Sequence, residues 1–276
     1  MVLAFGVGIF AFQRLLWLQG TTRAQSDALL QLFFSGYDVR YTTFDIILYV
    51  IAIGIISYIV SRIAKKHLAI IRLLWTLFIF AGIGMLGLTI HPFLTIPVAI
   101  MAILPYLIQP TIFRHNVIVS LACAGYAMAF ALVLSFFQAF IFLLLFAVAD
   151  ALAVYVFKSS SRILSAMQKS KAILGLIIPV GRSGVVKTIH DIRQGTRFAF
   201  LGAGDILAPV IFILVLMQQV SLSAALFGAM GAIAGILTAT HVSMRIGPVR
   251  PVATLPFIAA GMIVFLVIWF TTPLAT

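Results

Sequence analysis

Long apolar runs fill most of the chain, and short polar connections separate them. The runs cover residues 1–18, 45–63, 68–90, 93–109, 116–135, 137–157, 198–219, 221–244 and 254–271. A helix needs ~20 residues to cross a bilayer, so the pattern predicts about nine transmembrane helices. We number these runs as spans one to nine. They divide the chain into residues 1–157, a polar connection at 158–197, and residues 198–276.

The composition excludes a water-soluble fold. Of the 276 residues, 63% are apolar and only 9% are charged, whereas soluble domains average about 45–50% apolar and about 25% charged residues. The sequence therefore predicts an all-α polytopic protein embedded in the lipid bilayer. A single cysteine, Cys123, excludes an internal disulfide bond and a cysteine-based metal cluster.

Basic residues outnumber acidic ones by 18 to 6, and the formal net charge is +12. In a soluble protein such a surplus would suggest nucleic acid as a partner, but in a membrane protein it indicates loops that face anionic lipid. If the N-terminus is cytoplasmic, every Lys and Arg except Arg14, Arg23 and Arg40 falls on the cytoplasmic side. Because cytoplasmic loops are enriched in Lys and Arg, we expect a multi-pass protein of the cell membrane with its C-terminus outside and no nucleic-acid partner.

Two aspartates lie inside apolar runs. Asp150 falls in span six and Asp205 in span seven, and each would cost about 2.5–3.5 kcal/mol in the middle of a membrane helix. Measured from Lys158 and Arg197, both lie roughly 12 Å inside the cytoplasmic edge at ~1.5 Å per residue. Because spans six and seven are consecutive and antiparallel, the two carboxylates can meet. Loops and a helix start account for the other acids, Asp27, Asp38, Asp45 and Asp191.

A pair of carboxylates in a low-dielectric site supports two kinds of chemistry. Both cannot ionise together, so one keeps its proton. Such a pair can take a proton from water as the water attacks a peptide carbonyl, while the protonated partner hydrogen-bonds the carbonyl oxygen. It can also bind and release a proton or cation in a transporter. The carboxylates alone do not choose between these.

The residues around Asp205 favour a functional site. Gly202 and Gly204 remove side chains beside the acid, so another chain can approach its backbone closely. Pro209 lacks the N–H group that would bond the carbonyl of Asp205, which predicts a loosened helix next to the acid.

These motifs resemble those of the presenilin and signal peptide peptidase family of intramembrane aspartyl proteases, particularly its archaeal members. The segment Gly202-Ala203-Gly204-Asp205 resembles the family's GxGD motif, and Pro209 is similar to the proline of the signal peptide peptidase and archaeal versions. Ala149-Asp150 stands where the family has Tyr-Asp, so the tyrosine is missing. Ala253-Thr254-Leu255-Pro256 stands where the family has Pro-Ala-Leu, with Ala253 and Thr254 departing from that motif.

The resemblance implies a presenilin-like fold and proteolysis within membranes. Asp150 and Asp205 would be the catalytic pair, with no metal and no organic cofactor. The substrates would be transmembrane helices or signal-peptide-like segments, and the chain could form oligomers. A helical substrate must unwind before it is cut, and the apolar stretch 172–180 could then offer it a strand edge through β-augmentation.

Other functions remain open at this point. A secondary transporter could use the two aspartates as a proton or cation site, and a non-catalytic scaffold would tolerate the loss of either acid. Prepilin peptidases also carry a GxGD motif, but theirs is followed two residues later by a lysine, where this chain has Leu207. A zinc-dependent intramembrane protease needs the sequence His-Glu-x-x-His, and this chain has no Glu.

Overall fold

Among the residues that it describes, the computed structural model has seven bounded α-helices and one two-stranded sheet. The structure describes residues 47–48, 51–52, 55, 68–88, 91–156, 167, 172–179, 188–189, 198–246 and 252–272. The α-helices are α1 (Leu68–Leu88), α2 (Thr95–Ile108), α3 (Ile112–Val133), α4 (Phe136–Ala151), α5 (Ala203–Gln219), α6 (Leu222–Ile246) and α7 (Leu255–Thr271). A 3₁₀ turn (Pro92–Leu94) precedes α2, and a π-helical turn (Leu152–Val156) continues α4.

Helices α1 to α7 correspond to spans three to nine. Span one lies outside the described residues, as do most of span two and the aspartates Asp27, Asp38, Asp45 and Asp191. The count of about nine helices and the orientation of the termini therefore stay predictions.

Length and composition point to a membrane protein. Among the described residues, three helices are long and apolar enough to cross a bilayer: Ile112–Val133, Phe136–Val156 and Leu222–Ser243. Four shorter apolar helices accompany them. Large apolar side chains also face outward, such as Met101 at 73% exposure and Leu237 at 65%, as lipid-facing positions require.

Polar caps divide the long apolar stretch between residues 112 and 156 into two helices. Ser135 and Gln138 form a capping box at the start of α4, in which the Ser135 hydroxyl accepts from the Gln138 N–H (3.3 Å) and Gln138 accepts from the Ser135 N–H (2.9 Å). The amide of Gln219 then secures this turn, donating to the Leu134 carbonyl (2.9 Å) and accepting from the Phe136 N–H (2.6 Å).

Helix α5 is the centre of the structure. Its residues from Ala208 to Leu216 are all buried, as expected for a helix that is apolar on every side. It packs against α3, α4, α6 and α7, and α4 packs against both α5 and α7. Asp150 on α4 and Asp205 on α5 are thereby carried by neighbouring helices.

Glycines allow α6 and α7 to approach at backbone distance. A Cβ atom on Gly231 would lie 2.5 Å from the carbonyl oxygen of Gly261 and 2.7 Å from the Cα of Met262. No side chain fits there, and a Cβ atom on Gly235 would likewise lie too close to the backbone of Phe257 and Ile258, so these two glycines form a close-packing face.

Span seven differs from the prediction. Its first residues form strand β2 (Phe198–Gly202), which pairs antiparallel with β1 (Gly175–Pro179), and α5 begins only at Ala203. The expected all-α architecture is therefore mostly helical with one two-stranded sheet, and Asp205 lies in the first turn of its helix and not at mid-helix. An apolar run does not by itself distinguish a helix from a buried strand. Phe198 and Phe200 are of a residue type that is enriched in strands, which agrees with the strand found here.

Candidate active site

Asp205 lies at the corner between strand β2 and helix α5. Its Oδ2 accepts a hydrogen bond from the N–H of Gly202 (3.2 Å), which is the residue that caps the helix. A carboxylate in the first turn is also stabilised by the positive end of the helix dipole. The strand-to-helix corner therefore fixes the carboxylate relative to the sheet.

Asp150 lies at the end of helix α4, just before the π-helical turn. Its Oδ2 accepts a hydrogen bond from the N–H of Leu255 (3.1 Å), the first residue of α7. This contact ties α4 to α7 at the level of the acid. Each of the two aspartates is thus oriented by a backbone N–H from a different element.

Asp150 and Asp205 lie on the packed helices α4 and α5. Asp150 is in the last turn of α4 and Asp205 is in the first turn of α5. The structure therefore places the pair that the sequence singled out on neighbouring helices, and two carboxylates that meet can share one proton.

Gly204 faces open space beside Asp205. A Cβ atom built on this glycine would have no heavy atom within 4 Å, and one built on Gly202 would be 3.5 Å from Asp205 Oδ2, an ordinary contact. Packing within the described chain therefore does not require glycine at either position. Within the part of the chain that the structure describes, the space beside Gly204 is open.

Pro209 is buried inside α5, and the helix continues past it to Gln219. The proline therefore does not end the helix. As the sequence predicts, it cannot donate to the carbonyl of Asp205 one turn earlier.

Residues 253–256 are placed beside Asp150. Ala253 and Leu255 are buried, while Thr254 and Pro256 are partly exposed. Pro256 lies in the first turn of α7, where the missing N–H has no intrahelical partner to lose. The structure thus brings this segment to the site, through the bond from Leu255 to Asp150.

Tyr155 is a site residue that the sequence analysis did not find. It lies in the π-helical turn after Asp150, and its hydroxyl accepts a hydrogen bond from the N–H of Ala253 (3.4 Å). In an α-helix, residues near each other are spaced by three or four, so the wider turn is needed to bring Tyr155 to the side where Asp150 meets α7. No signal in the sequence predicts such a turn.

Asn116, on helix α3, hydrogen-bonds the edge of β1 that faces away from β2, and the motifs in the sequence do not indicate this contact. Its Nδ2 donates to the Ile177 carbonyl (2.8 Å) and its Oδ1 accepts from the Ile177 N–H (2.9 Å). The expectation that 172–180 forms a strand is confirmed for Gly175–Pro179, but its free edge is already taken by α3. A polar residue at the start of an apolar span was the available signal, since such residues often bond neighbouring elements in membranes.

Two aromatic side chains extend this contact along the strand. His115 is fully buried and its Nε2 bonds the Gly175 carbonyl (3.0 Å), while Trp75 Nε1 donates to the Ile173 carbonyl (3.1 Å). The two rings stack at 5.9 Å with an interplanar angle of 7°. His115 is thus engaged in structure, and no group of three or more potential metal ligands occurs among the described residues.

Comparison with known proteins supports the fold. No family model and no curated protein matches the sequence. A solved structure described as a presenilin family intramembrane aspartate protease matches 97% of this chain and 94% of its own, with a TM-score of 0.54 and 17% identity. This chain has a presenilin-like fold. The resemblance first drawn from the motifs around Asp150 and Asp205 is thus confirmed at the level of the fold.

Proposed function

We propose that this chain is a multi-pass membrane aspartyl protease of the GxGD type. Asp150 and Asp205 would hydrolyse peptide bonds within transmembrane or signal-peptide-like segments, without a metal or an organic cofactor. One observation carries the proposal: in a presenilin-like fold, the two acids of the apolar runs lie on packed helices, and a backbone N–H holds each of them.

The chemistry follows from one proton shared by two carboxylates. The ionised carboxylate takes a proton from a water molecule while the water oxygen bonds the carbonyl carbon of the substrate. The protonated carboxyl group hydrogen-bonds the carbonyl oxygen as negative charge develops there. The tetrahedral intermediate collapses when its C–N bond breaks and a carboxyl proton passes to the leaving nitrogen. The N–H groups of Leu255 and Gly202 hold the two acids in place for these transfers.

Among the described residues, no strand pairs with the outer edge of β2. Residues of an antiparallel pair alternate between facing the partner strand and facing away from it. Asn116 bonds both the N–H and the carbonyl of Ile177, so these two backbone groups point away from β2. The N–H and the carbonyl of its cross-strand neighbour Phe200 therefore point away from β1. We therefore place an unwound substrate along β2 at Phe200, where the chain leads directly into Gly202 and Asp205.

The test is cleavage of a single-span model peptide by the purified protein in liposomes, with products identified by mass spectrometry. We expect wild type to cut within the apolar span. Asp150→Ala and Asp205→Ala should each lower the rate by at least ~10²-fold, the usual contribution of general acid–base groups. Gln219→Ala is the matched control, because Gln219 lies at the opposite end of α5.

Two results would contradict the proposal. One is a cut that persists at the wild-type rate in either alanine variant. The other is a folded wild type that cuts no substrate but carries out proton- or cation-coupled flux that Asp205→Asn abolishes. The second outcome would favour a secondary transporter built on the same pair of acids.

A further inference from the structure

The side chain of Asn116 makes the contacts that a neighbouring strand would make. Its amide both donates to and accepts from the peptide groups of Ile177, at 2.8 and 2.9 Å. This two-way bonding of one residue is the pattern of a hydrogen-bonded pair in an antiparallel sheet. Ile177 is fully buried, so no water replaces the bonds if the amide is removed.

Two more backbone carbonyls on this side accept hydrogen bonds from side chains. The Gly175 carbonyl, at the start of β1, bonds His115 Nε2, and the Ile173 carbonyl, two residues earlier, bonds Trp75 Nε1. Helices α1 and α3 therefore take the place of a third strand. We call Asn116, His115 and Trp75 the β1 clamp.

Gly175 and the β1 clamp together hold β1 in one register against β2. A slip of β1 by one residue would turn its outward carbonyls toward β2. A slip by two residues would move Gly175 away from Leu201, whose carbonyl oxygen occupies the space that a Cβ atom on residue 175 would need. Only glycine fits opposite that oxygen, so β1 has one position against β2.

The register matters because β2 continues into the catalytic corner. Gly202 pairs with Gly175 on one side and donates to Asp205 on the other. Ala203, the first residue of α5, donates its N–H to the Leu174 carbonyl (3.1 Å). Any shift of β1 is therefore transmitted to the turn that carries Asp205.

We propose that Asn116 is a positioning residue that sets where along a substrate the cut falls. It does so by holding the β1–β2 sheet in one register relative to Asp205, while the substrate pairs with the open edge of β2. The inference rests on the proposed protease function. Asn116 makes its hydrogen bonds to Ile177 and not to Asp150 or Asp205, so it acts through the sheet.

The experiment compares Asn116→Ala with Gln219→Ala. Both variants remove a side-chain amide that bonds two backbone groups of another element, but Gln219 holds the turn between α3 and α4, away from the acids. The first readout is the set of cut positions on one model peptide, measured by mass spectrometry. The second is hydrogen–deuterium exchange of residues 172–179 in the protein without substrate.

We expect Asn116→Ala to spread the cut over neighbouring bonds, because a loosened β1 no longer holds Gly202 and Ala203, next to Asp205, in one position. Exchange at 172–179 should rise about 5- to 30-fold, the effect of losing one or two hydrogen bonds. Gln219→Ala should leave both the cut positions and the exchange of this segment unchanged. A purely structural role for Asn116 would lower the yield of folded enzyme without moving the cut.

The experiment distinguishes a failure of the protease function from a failure of the positioning role of Asn116. If wild type cuts no peptide, the protease function fails, while the exchange measurement still tests the clamp. If wild type cuts and Asn116→Ala keeps the same cut positions in the same proportions, the positioning role is overturned and the protease function stands. Should Asn116→Ala fail to fold, Asn116→Leu decides the question, because leucine has nearly the same size and lacks the amide that bonds Ile177. Unchanged cut positions in that variant would also overturn the inference.

Discussion

At the scale of single residues, the site depends on what surrounds the two acids. Asp150 and Asp205 could be predicted because an ionisable group within an apolar run is costly and calls for a function. Tyr155 and Asn116 could not be assigned to the site in the same way. Each acts through a backbone group that is distant in sequence, at Ala253 and at Ile177, and only the folded chain shows which one.

Gly204 gives a prediction in which stability and activity move in opposite directions. Gly204→Ala adds a Cβ atom that meets nothing within 4 Å, and alanine in a helix is favoured over glycine by roughly 0.5–1 kcal/mol. We therefore expect unchanged or higher thermal stability. Cleavage should fall, because the methyl group fills the space beside Asp205 through which a substrate backbone approaches. Thermal unfolding in detergent and peptide cleavage would be measured on the same preparation.

The interpretation of Gly204 fails if the alanine variant cleaves as fast as wild type. Leu207→Ala is a useful comparison on the same helix, since Leu207 packs against the apolar core. Its truncation should lower stability, as expected for the loss of a packed side chain, whereas Gly204→Ala should not.

At the scale of elements, the apolar runs predict the positions of the helices, but they do not predict strand β2. Spans three to nine correspond to α1 to α7, because long apolar runs bounded by polar caps such as Ser135 have few alternatives in a bilayer. The sequence predicts a helix over Phe198–Gly202, because this segment belongs to the same apolar run as the helix that follows it. Its pairing with Gly175–Pro179 depends on a distant segment, and sequence periodicity carries no information about that contact.

The α6–α7 contact gives a prediction at this scale. Gly231→Ala would place a methyl group 2.5 Å from the Gly261 carbonyl oxygen, so the two helices must separate at a cost of about 1–3 kcal/mol. Because α7 begins at Leu255, whose N–H holds Asp150, activity should fall together with stability. Denaturant unfolding in detergent and the cleavage rate would be followed in parallel.

The matched control for this contact is Gly228→Ala on the same helix. Its new methyl group would lie 3.0 Å from the end of the Leu216 side chain and at ordinary contact distance from the side chains of Ile213 and Met262. No backbone atom is among these contacts, and the end of the Leu216 side chain can move aside. Equal losses in the two alanine variants would show that any added methyl group on α6 is harmful and that backbone contact with α7 has no special role.

At the scale of the whole molecule, the presenilin-like fold explains why these motifs lie far apart in sequence and close together in space. Asp150, Asp205 and the segment 253–256 are carried by α4, α5 and the start of α7, which pack against one another around the buried α5. The overall likeness covers 97% of the chain at 17% identity. Shared helix packing, with few shared residues, therefore underlies the likeness in fold.

The distribution of Lys and Arg along the chain predicts its orientation in the membrane. If the positive-inside rule holds, the 158–197 connection is cytoplasmic and the C-terminus lies outside. Ser160→Cys should then react with a membrane-impermeant maleimide only after intact cells are opened, and Thr276→Cys should react before. The native Cys123 is fully buried in α3 and serves as an unreactive background. The reverse labelling pattern would place the basic connection outside and overturn the predicted topology, and with it the expectation that Asp150 and Asp205 lie nearer the cytoplasmic side.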